Sequence, residues 1–452
     1  MLIFVQRVCV EQTDKIFNHN DQVILALENN FYVTYPESNN ATYKSLVNYA
    51  TDLNSPIQRW YRYKEGYSIK LMERLFKDNN VAPGDIILDP FCGSGSTIVQ
   101  AKENGLGSYG FEINPFSYFL AKAKTQNYTQ EDLLYFEQEK SRLLSIGKGR
   151  GIVQKPKLST IDKLYPEEVL KYLLTMREEI KKIEGSKVKD LYMLAWFSIL
   201  EESSNYRKAG NGLKIRRGKT IKAPDLDFVL DLFRQKVVNI SEDLPYAVSI
   251  SNVNTDPKLF ECTSLEMDKY VESGIITGVL FSPPYANCFD YTEIYKVELW
   301  MGEFVKDYPD IKVLRRRGIR SNLNANLKKE SMITSTLSEL NDLVELLGQV
   351  TLWDKKIPIM VMAYFEDMFK SLDKIYLSLK KGGFCAIVVS NSAYGGIIVP
   401  TDLLLAKYAE QIGFKTEKIE VARYIITSSQ QYNKTKDHKR FLRESIIHLR
   451  KS

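Results

Sequence analysis

The stretch from Asp85 to Asn114 constrains the fold more than any other part of the chain. Pro83-Gly84 is a turn signal, and the apolar run Ile86-Ile87-Leu88 behind it predicts a buried strand. A glycine-rich turn follows, Gly93-Ser94-Gly95-Ser96. Thr97 to Asn104 then predicts a helix closed by Gly105, and Ser108 to Phe111 a second strand ending at Glu112. Strand, helix and strand at this spacing make a parallel, right-handed βαβ unit.

A second α/β stretch begins near Gly274. Ile275 to Phe281 is an apolar run that stops at Ser282-Pro283-Pro284-Tyr285. Met362 to Leu379 predicts an amphipathic helix, Lys381-Gly382-Gly383 a turn and Phe384 to Ser390 a buried strand. Thr401 to Ile412 predicts a further helix, and Glu417 to Val421 and Ser445 to Leu449 two late strands. The expected fold is α/β, a Rossmann-like doubly wound sheet with a mainly helical insertion. Residues 55–125 and 246–452 form the expected catalytic domain, and 126–245 the helical insertion. A basic loop insertion is expected at 301–350, and 1–54 is an N-terminal segment without evident chemistry.

Bulk properties exclude several classes. Five scattered cysteines without a CxxC pair argue against a zinc site and a disulfide framework, and fit a reducing cytoplasm. Of three histidines, none has a neighbour at ligand spacing, so no metal is expected. No run reaches the roughly 20 apolar residues of a membrane helix. The net charge of +6 is modest but unevenly spread. Arg207, Lys208, Lys214, Arg216, Arg217, Lys219 and Lys222 cluster without an acid between them, and Arg315, Arg316, Arg317 and Arg320 lie between Lys312 and Lys329. Local patches of this kind are what track a phosphate backbone.

The string Asp89-Pro90-Phe91-Cys92-Gly93-Ser94-Gly95-Ser96-Thr97 carries the first chemistry. A phosphate-binding P-loop would close with a lysine, and none is present. A dinucleotide fingerprint needs a third glycine where Ile98 stands. The second string is Ser282-Pro283-Pro284-Tyr285. Exocyclic amines of bases are poor nucleophiles because their lone pair delocalises into the ring. A hydroxyl and a proline carbonyl that accept both amine hydrogens favour a pyramidal nitrogen, and an aromatic ring can stack on a base flipped out of the duplex.

Together the two strings resemble motifs I and IV of the DNA amino-methyltransferases, with Ser96 where the first pattern has Thr. Arg59 to Ser68 resembles motif X of the same family. The resemblance implies S-adenosylmethionine as cofactor, with Tyr67, Ser68, Asp89, Pro90, Phe91, Cys92, Gly93, Ser94, Gly95, Thr97, Glu112 and Asn114 around it. Glu112 would take the ribose hydroxyls, and Cys262 to Asp268, with Glu266 and Asp268, would lie against the adenine. It implies catalytic roles for Ser282, Pro283, Pro284 and Tyr285, and direct in-line transfer. Serine at the first position of motif IV goes mostly with N4 of cytosine, aspartate or asparagine with N6 of adenine.

The expected partner is therefore double-stranded DNA with a flipped target base, in a prokaryotic or phage restriction–modification setting. The insertion at 126–245 is the candidate target-recognition region, helped by the segment from Lys312 to Lys329. Arg207, Lys208, Lys214, Arg216, Arg217, Lys219, Arg315, Arg316, Arg317 and Arg320 are the candidate DNA contacts, with Asn205, Tyr206, Asn211 and Asn322 among them as candidate base readers. Adenine-N6 methylation, an RNA or protein substrate, and a non-catalytic DNA-binding protein on this scaffold remain as alternatives. The sequence leaves the recognition site and the oligomeric state open.

Overall fold

The computed structural model describes residues 16–36, 47, 52, 54–63, 66–147, 154–210, 212–216, 223–251, 255–327, 335–425 and 435–452. Among them the strands are β1 (Val33–Thr34), β2 (Ile86–Asp89), β3 (Gly107–Phe111), β4 (Tyr206–Ala209), β5 (Gly212–Ile215) and β6 (Lys258–Phe260). They continue as β7 (Ile276–Phe281), β8 (Leu379–Ser390), β9 (Ser392–Tyr394), β10 (Ile397–Val399), β11 (Phe414–Tyr424) and β12 (Arg443–Lys451). The helices begin with α1 (residues 16–28), α2 (Ile69–Asp78), α3 (Ser96–Glu103), α4 (Pro115–Thr125) and α5 (Gln130–Leu144). Next come α6 (Ile161–Leu164), α7 (Glu167–Lys181), α8 (Ser186–Ile199), α9 (Leu226–Ser249), α10 (Tyr291–Ile294) and α11 (Lys296–Met301). The last four are α12 (Tyr308–Arg317), α13 (Ser338–Gln349), α14 (Ile357–Ser378) and α15 (Thr401–Gln411).

One eight-stranded sheet runs β1-β11-β12-β8-β7-β2-β3-β6. From β6 to β8 every neighbouring pair is parallel. β12 then inserts antiparallel to both β8 and β11. After the edge strand β1, the chain enters the middle of the sheet at β2, winds outward through β3 to β6, and resumes at β7 on the other side of β2. Such a reversal leaves a crevice at the carboxyl ends of the two central strands, where open α/β sheets bind ligands. Here those ends are Asp89 and Phe281, so topology brings both motifs to one edge. This is a Rossmann-like, doubly wound sheet.

Side-chain alternation explains the layering. Leu88, Val279, Phe281, Cys385, Ile387 and Ile447 face α14 and α15 in one apolar core. Leu280, Ala386, Val388 and Ile446 face Leu71, Met72 and Leu75 of α2 on the other side. Ser68 caps α2 by accepting the N–H of Leu71, and Leu71, Met72 and Leu75 are fully buried. Each such side chain contributes about 1.5–3 kcal/mol through burial.

Three expected boundaries differ. The turn at residues 381–383 is a bulge within β8, whose pairing with β7 jumps from Ile276 opposite Leu379 to Gly278 opposite Phe384. α9 runs unbroken from Leu226 through Pro245 to Ser249, across the expected 245/246 boundary. The basic segment after residue 301 is helical over α12 and α13 rather than a loop. The helices α5, α7, α8 and α9 bury Phe136, Leu173, Trp196 and Phe233 in a core that also takes Phe116 and Leu120 of α4. The helical insertion therefore rests directly on the layer that carries the glycine turn.

Candidate active site

The turn after β2 uses its two glycines differently. Both adopt left-handed φ, +51° at Gly93 and +84° at Gly95. A Cβ on Gly95 would stand 2.9 Å from the Ala121 backbone, so this glycine lets the turn pack on α4. A Cβ on Gly93 would stand 3.0 Å from the Tyr63 ring, and Gly93 lines a cleft of about 360 Å³. Beside it, Asp89 is buried and braces the turn rather than facing a ligand alone. Its carboxylate accepts from Thr97 Oγ1 at 2.6 Å and from the Phe91 N–H at 3.0 Å. Tyr67, itself buried, donates to Thr97 Oγ1 at 2.6 Å. Burial pushes Asp89 up to about 7.

Glu112 reaches back from the end of β3. One carboxylate oxygen accepts from the Gly93 N–H at 3.0 Å and the other from the Asn114 N–H at 2.7 Å. Each oxygen keeps a lone pair, which a vicinal diol can use. Asn114 caps α4 through Oδ1, while its Nδ2 is buried with no hydrogen-bond partner. An orphan amide, a diol acceptor and an approachable glycine backbone in one cleft fit S-adenosylmethionine, which would be held by Gly93, Ser94, Glu112 and Asn114. Tyr67, Pro90, Phe91, Cys92 and Thr97 also line this cleft. Ser68 and Gly95 do not: the first serves α2 and the second packs on α4.

Burial also pushes Glu112 up to about 7. A diol donates to the ionised carboxylate, so binding must draw the proton off. We expect cofactor affinity to rise from pH 6 to pH 8 by up to about tenfold. Glu112→Gln should weaken the affinity and flatten that dependence, as read by isothermal titration. A pH dependence retained in the variant would exclude Glu112 as its source.

At the carboxyl end of β7, Ser282, Pro284 and Tyr285 line the same cleft, while Pro283 is buried behind them. Ser282 Oγ donates to the Tyr285 hydroxyl at 3.1 Å, and that hydroxyl donates to Glu444 at 2.6 Å. Glu444 and Arg423, on β12 and β11, also line the cleft and have no motif around them in the sequence. Thr263, Ser264, Asp290 and Asn322 are further lining residues. The expected acids Glu266 and Asp268 are elsewhere, paired with Lys269 and Lys374. Of the expected Cys262–Asp268 segment, it is Cys262, Thr263 and Ser264, directly after β6, that line the cleft.

The basic residues divide. Lys208 is buried against Glu298 and the Tyr61 hydroxyl, with its ammonium 4.3 Å over the Tyr295 ring, and cannot face a phosphate. Arg216 holds the carbonyls of Glu201, Ser204 and Tyr206. Arg315 pairs with Asp290 and Glu293, and Arg320 with Glu366 and Asp367. These four are fold-holding ions. Arg207 and Lys214 stay exposed as a cross-strand pair on the β4–β5 hairpin, and Arg316 and Arg317 are exposed on α12. Of the candidate base readers, Asn205 donates to the Lys163 carbonyl, Tyr206 is half-buried in β4 and Asn322 lines the cleft. Arg217, Lys219, Lys222 and Asn211 lie outside the described residues. Among the described residues, no group of three or more potential ligands could hold a metal, and no helix is long and apolar enough to cross a membrane.

Comparison with known proteins agrees with this geometry. The N6/N4 DNA methylase family model matches residues 27–123. The type II methyltransferase M.BsoBI of Geobacillus stearothermophilus is 28% identical over 90% of this chain and 88% of its own. The type II methyltransferase M.AvaI of Nostoc sp. is 27% identical over 84% of this chain and 83% of its own. The type II methyltransferase M.MvaI of Kocuria varians is 24% identical over 71% and 73%. With the glycine-turn cleft and the Ser282 motif on one edge of the sheet, the chain is similar to S-adenosylmethionine-dependent DNA amino-methyltransferases of the N6/N4, restriction–modification type.

Proposed function

We propose that this enzyme methylates N4 of cytosine in double-stranded DNA, on a base flipped into the cleft, in a prokaryotic cytoplasm. The observation that carries the reading is the Ser282 hydroxyl at the end of β7, in the same cleft as Gly93 and Glu112. A neutral hydroxyl at the first position of this motif goes with cytosine in the family that the chain resembles. The cofactor supplies a methyl group on a sulfonium, an electrophile that needs no metal or covalent intermediate. The chain's own task is to hold the amine. Ser282 Oγ and the peptide carbonyls next to Pro283 and Pro284 are the acceptors for its two hydrogens, and the Tyr285 ring is the stacking surface. Product analysis tests the base. DNA treated with the enzyme and labelled cofactor is digested to nucleosides and read by mass spectrometry. N4-methylcytosine is the expected product. N6-methyladenine would overturn the cytosine reading and keep the amino chemistry.

For the DNA, the favoured contact is α12. Its inner side gives Leu314 and Arg315 to the cleft, and Lys312, Val313, Arg316 and Arg317 on its outer side are exposed. A basic helix at the mouth of the cleft suits the backbone beside a flipped base. The hairpin residues Arg207 and Lys214 extend this surface. Changing Arg316 and Arg317 together to Glu should weaken DNA binding and reduce the salt slope of log K by about 2. A slope equal to that of the unmodified enzyme would make α12 plain surface.

A further inference from the structure

Glu444 stands 159 residues from Tyr285, yet it is the end of a directed hydrogen-bond chain that starts at the catalytic hydroxyl. The glutamate is 4% exposed and lines the cleft. Arg423 Nε donates to one of its carboxylate oxygens, and the Tyr285 hydroxyl donates to the other at 2.6 Å. An ionised carboxylate can only accept. Tyr285 has a single hydrogen, and with that hydrogen on Glu444 it can only accept from Ser282, which it does at 3.1 Å. Ser282's own hydrogen is thereby committed to Tyr285, and its lone pairs are free for the base.

We propose that Glu444 is a positioning residue that fixes the direction of this chain, so that Ser282 meets the target amine as an acceptor. The proposal rests on the assignment of Ser282 to the amine. The same chain carries away the proton that methylation releases. When the amine nitrogen gains its methyl group it becomes cationic and gives one hydrogen to Ser282 Oγ. The Ser282 hydrogen passes to Tyr285, and the Tyr285 hydrogen to Glu444, whose carboxylate ends neutral. Burial and the Glu444 charge push the Tyr285 phenol well above its ordinary range, so it stays protonated before transfer.

Glu444→Gln separates this role from packing. Arg423 still requires an acceptor, so the amide oxygen turns to it and the NH2 faces Tyr285. Tyr285 must then accept from the amide and donate to Ser282, which drives a hydroxyl hydrogen against those of the amine. Single-turnover methyl transfer should fall about ten- to a hundredfold, the effect of a buried donor left facing a donor. The cofactor dissociation constant should stay within about twofold, since Glu444 is outside the Gly93–Glu112 cradle.

The double variant Glu444→Gln, Tyr285→Phe removes the wrongly directed donor. It should recover to the rate of Tyr285→Phe alone, above that of Glu444→Gln. In cofactor-free protein, the 13Cζ resonance of Tyr285, identified by its loss in Tyr285→Phe, should shift in Glu444→Gln. An unchanged resonance, an unchanged rate, or a double variant slower than Glu444→Gln would each overturn the proposal. Unmodified enzyme that leaves no methylated nucleoside on DNA would instead overturn the function proposed above, so the two failures are distinct.

Discussion

Ser282→Ala should lower single-turnover methyl transfer by about 10²- to 10³-fold, the typical effect of deleting one group that stabilises charge developing in the transition state. The amine nitrogen becomes cationic as its bond to carbon forms, so an acceptor on one of its hydrogens matters more in the transition state than before it. Ser282 also holds the only hydroxyl of its motif other than that of Tyr285, which is committed to Glu444. Cofactor affinity should change by less than about twofold, because Ser282 and the Glu112 cradle share no hydrogen bond and distant sites act independently. Rapid-quench transfer and cofactor titration on the same preparation read both quantities. A variant as fast as the unmodified enzyme would remove Ser282 from the chemistry.

The second large effect is on stability. Arg443 opens β12 with no exposure to solvent and is paired with Asp402, also fully buried, and with Glu28 of α1. Ser445 Oγ adds a bond to Asp402 at 2.8 Å, and Arg443 donates to the Tyr35 hydroxyl at 3.0 Å. The network joins α1, α15 and β12 directly behind Glu444. Asp402→Ala leaves a buried guanidinium short of a counter-charge, and should cost about 3–5 kcal/mol in urea unfolding. Asp402→Leu with Arg443→Met should recover much of the loss, because removing both ions also removes the cost of desolvating them. A loss below about 1 kcal/mol for Asp402→Ala would mean that water or Glu28 compensates the charge.

Distance along the chain separates what was legible from what was not. β2, the glycine turn, α3 and β3 form one continuous stretch, and β7 runs straight into Ser282-Pro283-Pro284-Tyr285. Periodicity, turn residues and strand ends are local properties, and local properties are written in consecutive letters. The late strands β11 and β12 were readable as strand-like runs, but their order in the sheet was not. The insertion of β12 between β8 and β11 decides that Glu444 stands over Tyr285.

The basic residues teach the same lesson from the other side. Arg207 and Lys208 are adjacent letters, but on a strand they point to opposite faces. One is exposed and the other lies buried on Glu298, 90 residues away. Arg315 and Arg316 split in the same way on α12, since only Arg315 turns inward to Asp290 and Glu293. A charge pattern gives the number of cations in a segment and leaves their partners unspecified.

By itself, then, the sequence determined the glycine turn, the Ser282-Pro283-Pro284-Tyr285 string and the α/β sheet that carries them. Those features depend on residues within about one element of each other, where spacing alone fixes which groups can meet. The tertiary structure decided which cations stay exposed, which glycine lines the cleft and which partner the Ser282 hydroxyl bonds. Each of those depends on a partner brought in from a distant part of the chain, and only packing the sheet in its order 3-2-1-4-5-7-6, from β6 to β11 with its seven longer strands numbered along the chain, supplies it.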